Sequence, residues 1–375
     1  MKKNQLNYIA IAAFVVIAIY ACSGIPKFAE NIVKPDARKQ YSREIESKHV
    51  KSDWELAYDS ALTENLSVTL PYGEKGTFNP LENLVYTYNV GLQEGEMLSV
   101  EVVQENPNQR VFIEILELDS GGYHSVGKSE MGQNKLEAAG ENSGIFKVIV
   151  QPETGVSGNF FLSLNKKPLY GFPVAGKGNS AIQSFWGQDR DGGKRSHEGV
   201  DIFAKKGTPV VAVSDGFVSR TGDHGIGGKQ VWLRTGIFGK SVYYAHLDEI
   251  AVESGNSVKA GDTLGFVGNT GNAKGGAHHL HFGIYSGYGA VNPLPFIYRT
   301  ASVSQKSFPR NFSKNVAVVK MQKAILRQGP SKEFEKVGEL VSGQTVTLLG
   351  QTKDWLHVQT DSGAKAFLHA SLVRG

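Results

Sequence analysis

The sequence contains very little cysteine. Cys22 is the one cysteine among 375 residues, so the chain cannot form an internal disulfide, a CxxC redox pair or a cysteine-rich zinc knuckle. Any metal site must therefore draw its ligands from His, Asp or Glu. A strong charge of one sign is also missing, because 40 Lys+Arg residues face 36 Asp+Glu residues, a formal net charge of +4. This balance excludes a dedicated polyphosphate binder, and nucleic acid is not an expected partner.

The apolar run near the N-terminus is too short for a membrane-spanning helix. Two lysines precede the uncharged segment 8–21, whereas a spanning helix needs about 20 apolar residues. The segment is typical of a secretory signal, and it ends in a small residue followed by Cys22, as in a bacterial lipoprotein signal. Tyr20 departs from that pattern, and an ordinary buried cysteine or an uncleaved anchor is the alternative. We expect residues 1–22 to be a lipoprotein-type signal, with Cys22 lipidated and the protein held at the outer membrane or the periplasmic face of the cell envelope.

The chain after residue 22 is first polar, and from residue 66 its apolar and polar residues alternate. Residues 23–65 are polar and charged, and they are interpreted as a solvated tether with some helix. From residue 66 the apolar residues recur with a period of two, and Gly and Asn turns separate the segments. This pattern predicts a β-sandwich accessory domain over 66–168. We expect it to have a spacing and orienting role, and a binding role stays open. The alternating segments are 84–90, 97–103, 111–118, 145–150 and 159–164.

The sequence of the C-terminal region predicts a separate small barrel, which follows a polar linker at 302–314. Short apolar segments with Gly and Pro turns surround Trp355, which we expect in the core of the barrel. The arrangement over 315–375 resembles bacterial SH3-type domains, many of which bind cell-wall peptides. The 44 glycines agree with many tight turns, since glycine usually makes up ~7% of a protein. The predicted fold class is therefore mainly β and multidomain.

Six of the ten histidines lie between His197 and His281, in glycine-rich segments of β character. Because side chains alternate along a strand, His279 and His281 are predicted to face the same side. A single histidine motif recurs by chance and usually marks a structural histidine. The combination of three motifs favours a metal site. They are Arg195-Ser-His-Glu-Gly-Val-Asp201, Tyr244-Ala-His-Leu247 and His278-His-Leu-His-Phe282.

The residue types of these motifs suit zinc. Zinc binds imidazole nitrogen at about 2.0–2.1 Å and carboxylate oxygen at about 2.0–2.2 Å, and two histidines with one carboxylate leave a fourth position for water. Zinc lowers the pKa of such a water to about 7 and polarises a carbonyl oxygen. Histidines that do not bind the metal can transfer protons and stabilise an oxyanion.

Residues 170–298 closely resemble a lysostaphin-type (LytM-like) zinc metalloendopeptidase. The resemblance covers about a third of the chain. The matching stretches are 195–202, 207–210, 215–216, 244–247, 258–262, 268–271 and 279–282. It implies an antiparallel β-sheet over 169–300 with a groove between loops, and it implies cleavage of peptide bonds in peptidoglycan stems or cross-bridges. In a Gram-negative envelope the analogous bond joins D-alanine to diaminopimelate.

The resemblance also assigns roles to the histidines. It implies zinc held by His197, Asp201 and His281. It implies that His279 is the general base that activates water, and that His246 stabilises the transition state or assists proton transfer. At each of these five positions the sequence has the residue type that the family pattern requires.

Two positions depart from the family pattern. Gly283 stands where many members carry Glu, and His278 stands where proline is frequent. Neither change removes a ligand, and His278 is interpreted as structural. Two other functions remain open: a non-catalytic LytM-like regulator of other wall hydrolases, and a wall-binding scaffold. The expected partners are peptidoglycan peptides and a membrane through the lipid anchor, and the question of protein partners stays open.

Overall fold

The computed structural model describes residues 36–46, 51–190, 192–236, 239–304 and 316–374. The predicted signal with Cys22, the start of the predicted tether and most of the predicted linker lie outside the described residues. The α-helices of the described ranges are α1 Ala37–Glu44, α2 Lys51–Thr63 and α3 Leu294–Ile297. Within these ranges, no helix combines the length and the apolar character that crossing a membrane requires.

Two antiparallel sheets form a sandwich. Its strands are β1 Tyr72–Phe78, β2 Tyr86–Leu92, β3 Glu96–Gln104, β4 Val111–Asp119, β5 Gly122–Lys128, β6 Lys135–Ala138, β7 Gly144–Pro152 and β8 Gly158–Pro168. One sheet has the order β2-β7-β4-β5, and the other contains β1-β8-β3-β6. The inner faces share one core, which includes Tyr88, Leu98 and Val148. Each of the five predicted alternating segments overlaps one of these strands.

The expectation of a solvated tether is wrong for its described part, because α1 and α2 pack on the sandwich. Trp54 is 1% exposed and clusters with Tyr41 and Phe112, and its indole donates to the carbonyl of Pro152 at 2.9 Å. The many polar residues of this segment cover the exposed sides of the helices and conceal the apolar contacts. Since the helices cover the outer face of the β2-β7-β4-β5 sheet, β4 and β7 are buried on both faces.

A further antiparallel sheet follows the sandwich. Its strands are β9 Ile182–Ser184, β12 Val200–Phe203, β13 Pro209–Val211, β14 Gly216–Asp223, β15 Lys229–Arg234, β16 Ser241–Ile250, β17 Ser257–Val258, β18 Thr263–Val267, β19 His279–Ser286 and β20 Gly289–Val291, and β10 Asp189–Arg190 pairs with β11 Arg195–Ser196 in a separate hairpin. The main order is β17-β14-β15-β16-β19-β12-β9. Just before β16, Lys240 contacts the sandwich: its ammonium lies 2.6 Å from the carboxylate of Glu94.

The C-terminal strands form the predicted barrel, but the expectation of a separate unit is wrong. The strands are β21 Val316–Val319, β22 Ala324–Arg327, β23 Lys336–Leu340, β24 Thr345–Thr352, β25 Trp355–Thr360, β26 Lys365–His369 and β27 Val373–Arg374. Strand β24 pairs with β21 and also with sandwich strand β1, where Lys75 faces Gln351. Leu349 and Phe367 of the barrel belong to the sandwich core, and Trp355 packs against it. One sheet therefore runs through both domains.

A buried polar cluster stands at this junction. Glu74 and His357 are fully buried, and the Nδ1 atom of His357 lies 2.9 Å from Oε1 of Glu74. The other carboxylate oxygen accepts hydrogen bonds from the hydroxyls of Tyr88, at 2.6 Å, and Tyr72. A buried polar group that loses its partner is costly, so this cluster favours one arrangement of barrel and sandwich.

We expect Glu74→Ala to destabilise the sandwich and barrel together by about 3–5 kcal/mol, because it removes the partner that one buried imidazole and two buried hydroxyls share. Urea unfolding followed by circular dichroism and tryptophan fluorescence measures the loss. Glu339→Ala, which removes an exposed partner of Lys323 and Lys336, is the matched control and should leave the midpoint nearly unchanged. Equal midpoints for Glu74→Ala and the unmodified protein would contradict the role of the cluster.

Candidate metal centre

The three predicted metal ligands come together at the β12–β19 pair. Asp201 on β12 stands directly opposite His281 on β19, and His197 lies just before β12. The Oδ1 atom of Asp201 is 3.1 Å from Nε2 of His197 and 3.0 Å from Nδ1 of His281. The two imidazole nitrogens are 3.0 Å apart. Three potential ligand atoms therefore converge on one point.

Two other polar atoms of these side chains, Nδ1 of His197 and Oδ2 of Asp201, have partners outside that point. The Nδ1–H of His197 donates to the carbonyl of Phe185 at 2.9 Å, which leaves the lone pair of Nε2 free to bind a metal. The second oxygen of Asp201, Oδ2, accepts from Nη2 of Arg190 at 2.9 Å. Two nitrogens and one carboxylate oxygen form a donor set that fits zinc.

Protonation states also suit metal binding. Burial alone would raise the pKa of Asp201, but the close contacts of its carboxylate with the imidazoles of His197 and His281 outweigh it and hold that pKa well below its usual range. Asp201 is therefore anionic at neutral pH. Burial lowers the pKa of His281, although its hydrogen bond to Asp201 opposes the shift, and the neutral imidazole is the form that binds metals.

His279 and His246 lie beside the three ligands. The Nε2 atom of His279 is 4.0 Å from Oδ1 of Asp201, and its Nδ1–H donates to the carbonyl of Ala277 at 2.9 Å. The ring of His246 is 5.0 Å from that of His279. All five histidine and aspartate residues predicted for the site are thus brought together.

His246 is held in an unusual conformation. Its φ of 62° lies in the left-handed region, which costs energy for a non-glycine residue and is typical of functional sites. Its amide donates to the carbonyl of Gly227 at 2.8 Å, and its Nδ1–H donates to that of Thr270 at 2.9 Å. Burial, reinforced by the charges of His281 and His279, lowers the pKa of His246 to about 4. The side chain is therefore neutral at pH 7, with Nε2 able to accept a proton.

Two glycines of the predicted motifs are required by close packing. A Cβ atom at Gly199 would lie 2.6 Å from Cε1 of His281, so a larger residue would displace this ligand. Gly271 has a φ of +70°, and a Cβ atom there would lie 2.3 Å from the carbonyl oxygen of Ile226. Because the neighbouring Thr270 accepts from His246, the second contact fixes the loop that orients this histidine.

A groove of about 620 Å³ opens over these residues. One wall is aromatic: the ring of Trp232 is 4.4 Å from that of Tyr243, which in turn lies 5.9 Å from that of His281. Tyr285 extends this wall, 5.1 Å from Trp232. Gly283 stands opposite Tyr243, and the ring of Tyr285 leans over it, within 3.2 Å of where a Cβ atom would be. A side chain at position 283 would therefore require Tyr285 to shift by a few tenths of an ångström, whereas glycine leaves this ring in place.

Several residues of the site were not identified from the sequence. The aromatic wall joins side chains of β15, β16 and β19, and only the pairing of these distant strands brings them together. Arg190 contacts Asp201 from a short hairpin that has no recognisable periodicity. Neither the single aromatic residue of β15 nor the adjacent Tyr243 and Tyr244 of β16 pointed to the wall, and no signal pointed to Arg190.

Comparisons with known proteins match two parts of the chain. Residues 195–293 match the profile described as Peptidase family M23, and residues 323–374 match that described as Bacterial SH3 domain. Among solved structures, the catalytic domain of the antimicrobial peptidase lysostaphin from Staphylococcus simulans has 35% sequence identity, covers 30% of this chain and 89% of that chain, and has a TM-score of 0.28.

Two curated proteins are similar to part of the chain. The L-Ala--D-Glu endopeptidase of Bacillus subtilis (strain 168) is 35% identical over 140 residues, which are 34% of this chain and 43% of that protein. The glycyl-glycine endopeptidase ALE-1 of Staphylococcus capitis is 30% identical over 202 residues, which are 46% of this chain and 54% of that protein. The chain thus spans about half the length of these relatives. It carries a domain of peptidase family M23, followed by a bacterial SH3 domain.

Proposed function

We propose that the protein is a zinc-dependent endopeptidase that hydrolyses stem peptides or peptide cross-links of peptidoglycan. The proposal depends chiefly on the convergence of ligand atoms from His197, Asp201 and His281 at the base of an open groove. A bound zinc ion would supply Lewis-acid chemistry for a peptide carbonyl and for the attacking water. The names of the two relatives, an L-Ala--D-Glu endopeptidase and a glycyl-glycine endopeptidase, support peptide bonds as the substrate class, and the resemblance of the sequence motifs implies that these bonds are those of peptidoglycan.

The two remaining histidines suit proton transfer. His279 gives its Nδ1–H to Ala277, so its Nε2 lone pair is available to take a proton as the general base. His246 gives its Nδ1–H to Thr270 and is neutral, so it can assist proton transfer or stabilise charge that develops on the substrate oxygen. The aromatic wall beside His281 shields one side of the groove from water.

The cellular setting follows from other parts of the chain. We infer that residues 1–22 are a lipoprotein-type signal and that Cys22 carries a lipid anchor, so that the enzyme acts from a membrane of the cell envelope. We also infer that the SH3 domain contacts the wall substrate, whereas the sandwich at 66–168 orients the peptidase domain, which we assign to 169–300.

Zinc-loaded full-length protein is expected to release peptide fragments from purified sacculi, and a chelator is expected to abolish this release because the proposed metal is lost. Chromatography of the muropeptides before and after incubation measures the effect, and readdition of zinc is the control. An unchanged muropeptide profile in the presence of zinc would contradict the peptidase and favour a non-catalytic regulator or a scaffold.

Substitution of two histidines should separate metal binding from catalysis. His281→Ala is expected to lose zinc, because it removes one of three ligands. His246→Ala should retain zinc and lose activity by about 10²–10⁴-fold, the usual contribution of a general acid or base. Metal analysis and sacculus digestion give the two readouts. His124→Ala, a histidine on the distant strand β5, should change neither. Zinc loss in both site variants would refute the role of His246.

The close contact at Gly199 yields a test of the ligand geometry. Gly199→Ala is expected to weaken zinc binding, since the added methyl would overlap the ring of His281. Competition with a chromophoric chelator measures the change. Gly91→Ala is the matched control, because a Cβ atom at that strand position meets nothing within 4 Å. Equal zinc affinities of both variants and the unmodified protein would contradict the packing of His281 against Gly199.

A further inference from the structure

We propose that Arg190 is a positioning residue, which holds the carboxylate of Asp201 in the orientation needed for metal binding. This inference rests on the proposed zinc site. The two oxygens of Asp201 have different partners: Oδ1 faces His197 and His281, whereas Oδ2 accepts from Nη2 of Arg190 at 2.9 Å. With Oδ2 held, the carboxylate cannot rotate without breaking a charge-assisted hydrogen bond.

The guanidinium is itself held by the surrounding strands. Nη2 of Arg190 also contacts Oγ of Ser184, and Ser184 on β9 stands opposite Asp201 on β12. The same nitrogen is 2.9 Å from Nδ1 of His197. Because the hydrogen on that Nδ1 is directed to the carbonyl of Phe185, we assign the action of Arg190 to Asp201 rather than to His197.

The backbone links Arg190 to a second ligand. Arg190 pairs with Arg195 in the β10–β11 hairpin, which leads directly into His197. The amide of His197 donates to the carbonyl of Gln188, and the amide of Gly187 donates to the carbonyl of His197, both at 2.9 Å. The hairpin therefore fixes the backbone of one ligand while its arginine fixes the side chain of another.

Two effects of Arg190 on a metal ion oppose each other. Orientation of a ligating carboxylate favours binding, and loss of such an outer partner typically costs 10–100-fold in metal affinity or activity. The positive guanidinium, in contrast, repels a divalent cation. Since Arg190 bonds directly to the ligand carboxylate and is partly screened, with 28% of its side chain exposed, we expect orientation to dominate. The sign of the change in zinc affinity distinguishes the two effects.

The test measures zinc affinity of the full-length protein by competition with a chromophoric chelator, together with the absorption spectrum of the cobalt-substituted site. Arg190→Gln is expected to weaken zinc binding by about 10–100-fold and to alter the cobalt spectrum. Arg190→Lys should recover part of the affinity, because an ammonium restores the charge without the planar fork. Arg234→Gln, an exposed arginine on β15, is the control and should match the unmodified protein.

Unchanged or tighter zinc binding by Arg190→Gln would overturn the proposal. Thermal melting of the metal-free proteins shows whether each variant folds. If Arg190→Gln fails to fold, Arg190→Lys provides the test. Its zinc affinity must then lie below that of the unmodified protein. These readouts do not depend on hydrolysis: unmodified protein that binds zinc and leaves sacculi intact would contradict the proposed function alone.

Discussion

The candidate site depends on one carboxylate, that of Asp201, and on the strand pairing that places it. Asp201 stands opposite His281 across β12 and β19, and it contacts His197 and Arg190 as well. A slip of one residue in this register would turn His281 to the opposite face of the sheet. The apolar residues that alternate with the ligands, such as Ile202 and Leu280, are fully buried and oppose such a slip. The packing of the hydrophobic core thus fixes the positions of the candidate ligands in the groove.

The parts of the site that local patterns encode were predictable. His197 and Asp201 are four residues apart, and His279 and His281 share a face because a strand has a period of two. Four of the five residues therefore stand close together in short motifs, and His246 has a motif of its own. The aromatic wall and Arg190 were not predictable in this way, since each depends on contacts between segments that local patterns do not connect.

The fold shows the same division between local and distant information. Alternation identified the sandwich strands, because each strand has an inner face that must be apolar. The packing of α1 and α2 was missed, since a few buried side chains such as Trp54 and Tyr41 lie among many polar ones. The union of β1 with β24 was missed because hydrogen bonding between strand edges involves only the backbone, and no side-chain pattern distinguishes an edge that pairs from one that does not.

The continuous sheet has a consequence for how a polymer would meet the groove. A binding module on a flexible linker samples a broad range of distances, and its effective concentration falls as the linker lengthens. Here the barrel is joined to the sandwich by backbone hydrogen bonds and a common core, and the sandwich contacts the peptidase sheet through Glu94 and Lys240. If the barrel binds the cell wall as proposed, a bound strand would therefore meet the groove at a restricted range of spacings and angles. Selectivity among cleavage sites would then arise from the architecture of the wall as well as from the peptide at the candidate metal ligands.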